Sequence, residues 1–225
     1  LGKQINLTKQ GEIEMPNYCT NNLTVSGDAK EIKRFHEAII KNEDERKEYN
    51  QFSILDNLFP TPEELTATPK GFYGEGSEKQ LAMEAMNKKN MEKFGAPDWY
   101  EWNCKNYGSK WSDFDGVFGQ ITDTELNMTF MTAWSPICEG IRNVSKQFPT
   151  LDFVLSYEEG GMAFLGGVAI RNGVIVADIE GEYPSMSDAE IEADDYDAQY
   201  ERVTNVLDGI EAQCKAMLED EEVSV

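Results

Sequence analysis

Lys110 and Trp111 are followed closely by Asp113 and Asp115, and Trp134-Ser135-Pro136 brings a second indole beside a hydroxyl and a proline. A cation, carboxylates and indoles suit binding. An indole offers a broad apolar face with one N–H donor, and a lysine can reach a nearby carboxylate. Acid–base chemistry would draw on Asp113, Asp115, Glu158 and Glu159. Acids supply 42 of the 225 residues, so adjacent carboxylates are expected from composition, and no catalytic residue is assigned. His36 is the only histidine, which excludes a histidine-dependent triad or a multi-histidine metal site within one chain. Cys19, Cys104, Cys138 and Cys214 are spaced too widely for a zinc knuckle or a redox pair. They read as reduced thiols, with no structural metal and no disulfide. No phosphate-binding loop or nucleophile elbow occurs, and no cofactor is expected.

Two readings of the tryptophans stay open. In the first, Trp111 and Trp134 are buried neighbours at a corner of the core. In the second, Lys110, Trp111, Asp113, Trp134, Ser135 and Pro136 form a groove for a ligand or partner.

These residues need elements to hold them. Leu23 and Val25 alternate with polar neighbours and mark a strand that Ser26-Gly27-Asp28 ends. Asp28 then caps a helix over about 28–42, whose apolar stripe is Ile32, Phe35, Ile39 and Ile40. His36 lies beside that stripe and reads as a packed or rim histidine. A long, mainly helical insertion covers about 43–116. In it, Leu81, Met83, Met86 and Phe94 are candidates to pack, Gly95 ends one helix, and Trp99, Trp102 and Tyr107 share one face of the next. Leu126, Met128 and Phe130 alternate inward along a strand. Ser135 as N-cap and Pro136 in the first turn start a helix over about 136–148 with Ile137, Ile141, Val144 and Phe148 inward. A strand over Leu151–Glu159 follows, then two more around Arg171-Asn172-Gly173, where Asn-Gly signals a hairpin. The expected fold is α+β: an antiparallel sheet with its two principal helices on one face.

The net charge is −22. From Asp178 onward sixteen acids stand against Arg202 and Lys215, or −14, which leaves −8 for the rest. Such a field repels phosphate backbones, so nucleic acid is an unfavoured partner. The acidic end, 186–225, reads as a helix spanning roughly 188–219. Tyr196, Tyr200, Val203, Leu207, Ile210, Cys214 and Met217 fall at alternating steps of four and three, a heptad seam. That seam docks on the body or pairs with a second copy, giving a monomer or a homodimer. Asp194, Asp195, Asp197, Glu201, Asp208 and Glu211 form the acidic surface, which suits a basic protein partner. No stretch has the apolar length of a membrane span, and no secretion signal is recognisable, so the cytoplasm of a bacterial host is the expected location. In the first fourteen residues, Lys-Gln-Gly-Glu can be encoded by a purine-rich ribosome-binding sequence ahead of Met15. Residues 1–14 therefore read as translated leader, and 15–185 as the main domain.

At "MPNYCTNNLTVSGDAKEIKRF", "NYGSKW" and "FMTAWSPICEGIRNVSKQFPTLDFVLSYEEGGMAFLGG" the chain resembles the YubB-like family of phages, plasmids and integrated elements. Tyr18 and Tyr107 stand where the family pattern has tryptophans, and Ile137 where it has a second proline. The resemblance spans Met15 to about Gly167 and leaves out the acidic end. It implies a ferredoxin-like domain and a mobile-element origin, and it carries no activity. Three functions remain: a non-enzymatic binding protein that engages a host or defence protein through an acidic surface, a single-stranded nucleic-acid binder on the sheet, or an enzyme with an unrecognised carboxylate site.

Overall fold

The first strand, β1 (Tyr18–Ser26), is the spine of the molecule: β3 (Glu125–Ala133) and β4 (Asp152–Glu159) pair with it, one on each side, both antiparallel. The computed structural model describes residues 17–41, 48–68, 71–193 and 196–223. The leader reading of residues 1–14 lies outside them. With β2 (Phe114–Ile121), β5 (Phe164–Arg171) and β6 (Val174–Gly181), the sheet has six antiparallel strands in the order β2-β3-β1-β4-β5-β6. The first four, with helices α1 (Ala29–Ile39) and α6 (Cys138–Ser145) as crossovers, give the ferredoxin-like β-α-β-β-α-β order; the β5–β6 hairpin widens it.

Sequence chemistry explains the main elements. Asp28 is extended, and its carboxylate accepts a bond from the Lys30 N–H at 2.9 Å, which satisfies one orphan donor of α1. Ile32, Phe35 and Ile39 are buried, and Phe35 meets Phe148 and Phe153 edge-on at 5.1 and 5.5 Å. Ile141 and Val144 of α6 enter the same core as the α1 stripe, so both helices lie on one face, as expected. The Asn172-Gly173 turn has φ of 47° and 76°, the left-handed pair that a two-residue hairpin loop requires. His36 is half-buried and packs edge-on against Phe118 at 4.8 Å.

Three expectations need correction. First, the sheet has a strand beyond those the sequence pattern states, β2, directly after the insertion. It is an edge strand with two register shifts, and Gly116 and Gly119 hid its periodicity. The insertion itself carries α2 (Leu55–Leu58), α3 (Glu63–Thr66), α4 (Glu78–Phe94) and α5 (Trp99–Asn106). In α4, Leu81 and Met86 are exposed, whereas Gln80 and Asn90 are buried. The Asn90 amide holds Thr68 Oγ1 and the Pro97 carbonyl, each at 2.9 Å. Second, α6 begins at Cys138 with no side-chain cap, so Ser135 is not its N-cap. Third, the expected long C-terminal helix is α8 (Tyr196–Val223), and a short helix, α7 (Asp188–Ala193), precedes it.

Helix α8 covers the sheet face opposite α1 and α6. Val203, Leu207, Ile210, Cys214 and Leu218 pack on Val154, Leu165, Ala169 and Ala177. Met217 is exposed in place of Leu218, and Tyr196 and Tyr200 are exposed at the other end. The buried steps are four, three, four, four. A straight helix on a sheet follows 3.6 residues per turn, and the 3.5 of a supercoil does not apply. The arm is docked on its own body.

Candidate functional site: an aromatic corner

Tyr107 opens the first tryptophan segment. Its hydroxyl donates to the Phe59 carbonyl at 2.9 Å and lies 3.1 Å from Thr61 Oγ1, and its carbonyl accepts the Gly140 N–H of α6 at 3.0 Å. Burial pushes its phenol up to about 12. Gly108 follows at φ +88°, and a Cβ there would stand 3.0 Å from the Pro136 carbonyl oxygen. The residue must therefore be glycine for the two segments to touch. Two serines then tie the segments reciprocally: Ser109 Oγ donates to the Ala133 carbonyl at 2.9 Å, and Ser135 Oγ donates to the Gly108 carbonyl at 2.6 Å. Asn103 adds a bond to the Lys110 carbonyl at 3.0 Å. Lys110 Nζ lies 4.8 Å from the Trp111 ring centroid, a cation–π distance.

The two tryptophan segments are thus neighbours, but the reading in which both indoles are buried does not hold. Trp111 is half-buried and Trp134 is 43% exposed. The backbone supplies the reason. Trp134 has φ of +70°, and the Ser135 N–H turns back to the Ala133 carbonyl at 2.9 Å. This is a γ-turn of the rare positive-φ kind, which costs a residue with a side chain of the order of 1–2 kcal/mol. The Trp134 N–H bonds the Asn17 carbonyl at 2.9 Å, so the β1–β3 ladder continues through it. Pro136 is half-buried behind the turn.

Beside Trp134, Tyr18 pairs with Ala133 in the ladder, is 53% exposed, and meets Phe114 of β2 edge-on at 5.5 Å. The next residue, Asp115, is exposed and also has a positive φ, 51°. Residues in strained backbone cluster where function needs them. Here two flank one aromatic pair at one corner of the sheet. Sequence reasoning passed over Tyr18, which lies at a strand end, and weighed Asp115 only as a carboxylate within reach of Lys110 or for acid–base chemistry.

Asp113 does something else. It is buried, and its two carboxylate oxygens accept the Ile54 and Leu55 N–H groups, both at 2.8 Å. It pins the insertion to the body. Burial raises its pKa from 3.8 to about 6, against the lowering effect of the two bonds. Glu159 is also buried and caps its own turn through the Gly161 and Met162 N–H groups at 2.8 and 2.7 Å. Burial pushes the Cys19 and Cys138 thiols up to about 12 and Cys214 to about 11, so none is a ready nucleophile at neutral pH. Among the described residues no three His, Cys, Asp or Glu side chains are grouped to hold a metal, and no helix is long and apolar enough to cross a membrane.

The acidic residues split. Asp197, Glu201 and Asp208 are exposed on α8. Glu211 turns to the sheet, accepts from Thr24 Oγ1 at 3.1 Å and pairs with Lys215 at 2.8 Å. Asp194 and Asp195 lie outside the described residues. On the part of that sheet face that α8 leaves uncovered, Thr129 Oγ1 donates to Asn22 at 2.9 Å. The strands β1, β2 and β3 contain no lysine or arginine.

Comparison with known proteins adds to the fold. Residues 105–203 match the family model described as the ferredoxin-like domain in Api92-like protein. A crystal structure of protein api92 from Yersinia pseudotuberculosis is similar at 13% identity and a TM-score of 0.39, over 77% of this chain and 100% of that one. No curated protein matches. The matches carry nothing on a YubB-like or mobile-element origin. The strand order and the family model together establish a ferredoxin-like α+β domain, similar over 105–203 to that of Api92-like protein.

Proposed function

We propose that this chain is a non-enzymatic binding protein that captures another protein on the aromatic corner around Tyr18 and Trp134. The observation that carries this reading is Trp134 itself: a large indole, 43% exposed, held at φ +70° by a turn fastened to Gly108–Ser109. A rigid exposed tryptophan is the commonest type of interface hot spot. The acidic outer face of α8 gives the partner its sign. It attracts a basic protein and sets the salt dependence of encounter, while the corner makes the contact. A cytoplasmic partner in a bacterial host, with this chain carried by a phage or other mobile element, rests on the sequence resemblance to YubB-like proteins. Single-stranded nucleic acid is the weaker reading: aromatic residues are available for stacking, but the uncovered strands hold no cation for phosphates.

The test is parallel capture from bacterial extract with the native chain, Trp134→Gly, and the triple variant Asp197→Asn, Glu201→Gln, Asp208→Asn. Trp134→Gly should lose the partner at every salt concentration. The triple variant should keep it with a weaker salt dependence. Loss through the triple variant alone would place the contact on the arm.

A further inference from the structure

Given the protein-binding reading above, on which this inference rests, we infer that the partner presents an amphipathic helix with a basic flank, laid beside α8 on the sheet face of β1, β3 and β2. On that face α8 seats on the other three strands, β4, β5 and β6. The strands it leaves form one continuous floor. The Tyr18 ring meets the Phe114 ring at 5.5 Å, and Phe114 stands opposite Met131. The Thr20 hydroxyl lies 3.7 Å from Met131 Sδ, and Thr129 Oγ1 donates to Asn22 at 2.9 Å. Thr20, Asn22, Thr129 and Met131 are each partly exposed. Where the floor meets α8, Thr24 Oγ1 lies 2.8 Å from Asn127 Oδ1 and 3.1 Å from Glu211 Oε1. Glu211 therefore marks the flank of α8 that walls the groove, and Asp208, one turn earlier, stands above it on the same side.

Shape and charge select the occupant. Neighbouring strands lie about 4.8 Å apart, so three strands span roughly 10 Å, the diameter of one helix. The nine residues of β1 run about 30 Å, the length of a helix of roughly 20 residues. The floor hydroxyls are turned to cross-strand partners, so few donors face outward and an apolar helix face can cover them. Strand addition does not suit this surface. β1 and β3 are paired on both sides, and at the outer edge of β2 the Gly116 carbonyl accepts the Gln51 N–H at 2.7 Å while the Phe118 N–H donates to the Gln51 side chain at 3.0 Å. The wall is acidic. Asp208 and Glu211 stand on α8, and Glu125 lies at the end of the floor, where Asn127 donates to it at 3.1 Å. The cation beside them, Lys215, is held by Glu211 at 2.8 Å. A basic flank on the partner helix answers this wall. A second copy of this chain, at −22, or a phosphate backbone would be repelled.

The probes are capped peptides of about 20 residues. One has leucines at helical spacing and lysines on the flank. Another holds the same residues in strict alternation, and a third is the first with two interior prolines. A single-stranded oligonucleotide completes the set. The readout is the methyl resonances of Thr20, Thr129 and Met131 together with the Trp134 indole N–H. The helical peptide should move all of them, and the proline form should bind at least about tenfold more weakly. Thr129→Arg should abolish binding, while Thr129→Val keeps it; Thr20→Arg, on the same floor, is the second blocking variant. Dispersed indole and methyl resonances show that each variant is folded. Equal binding of the helical and alternating peptides, no movement of the floor methyls, or movement driven by the oligonucleotide alone overturns the inference. In capture from extract, a partner that folded Thr129→Arg and Thr20→Arg both keep and Trp134→Gly loses sinks the helix inference and leaves the binding function of the corner standing. A partner that Trp134→Gly keeps sinks the binding reading itself.

Discussion

Replacing Trp134 by alanine and by glycine separates what its side chain contributes from what its backbone costs. Slightly more than half of the residue is covered, since 43% is exposed. A tryptophan that buries about half of a 150–250 Å² payload loses on the order of 2–3 kcal/mol when truncated, at about 25 cal/mol per Å². Both variants suffer that loss. They differ in φ, which is +70° here. Alanine keeps a left-handed penalty of about 1–2 kcal/mol, whereas glycine has none. Glycine gives back about 0.5–1 kcal/mol through its freer unfolded chain. The glycine variant should therefore be the more stable of the two by roughly 0.5–1 kcal/mol, the reverse of their order at ordinary sites. Urea melts with unchanged slopes read this as a shift in midpoint. A glycine variant equal to or less stable than the alanine variant would refute the strained-turn account.

Other expectations follow from the same geometry. Ser109→Ala and Ser135→Ala should each cost about 1 kcal/mol, and the double variant should depart from additivity because both bonds join the same two segments; thermal melts of the four proteins test this. For Asp113, the folded pKa near 6 lies above the unfolded value near 3.8, so its titration contributes stability that is fully present below about 3.8 and lost as pH rises through 6. The stability difference between native chain and Asp113→Asn should thus shift against the native chain by on the order of 2–3 kcal/mol between pH 4 and 7, read by denaturation at each pH. On α8, Ile210→Ala should cost about 2–5 kcal/mol and the exposed Met217→Ala less than about 0.5; equal effects would mean that the helix is not seated as described.

Much of the fold was legible because local signals agreed with each other. Asp28 with the Ile32–Phe35–Ile39 stripe, the Asn172-Gly173 turn and the alternation of Leu126, Met128 and Phe130 each state their element without help from tertiary contacts. Strand β2 was not legible, since two glycines and a bulge erase a period of two. The C-terminal seam was half legible: its apolar face shows in the sequence, but whether Met217 or Leu218 turns inward depends on the surface it meets, a flat sheet and not a second helix. The two tryptophan segments were recognised as a unit, yet the exposure of Trp134 was not. Its direction is set by a positive φ that no residue type at 134 announces, and it is imposed by Gly108, Ser109 and Ser135 acting together. Asp113 shows the opposite case, a carboxylate that looks available in sequence and is consumed by two backbone donors.

The aromatic corner is the proposed contact surface. Amide hydrogen exchange of the full chain, with and without its captured partner, tests it most directly. Contact at the corner should give new protection at residues 17–20, 114–116 and 131–135, with little change along the exposed face of α8. Protection confined to 196–223, with 131–135 exchanging as in the free chain, would contradict it.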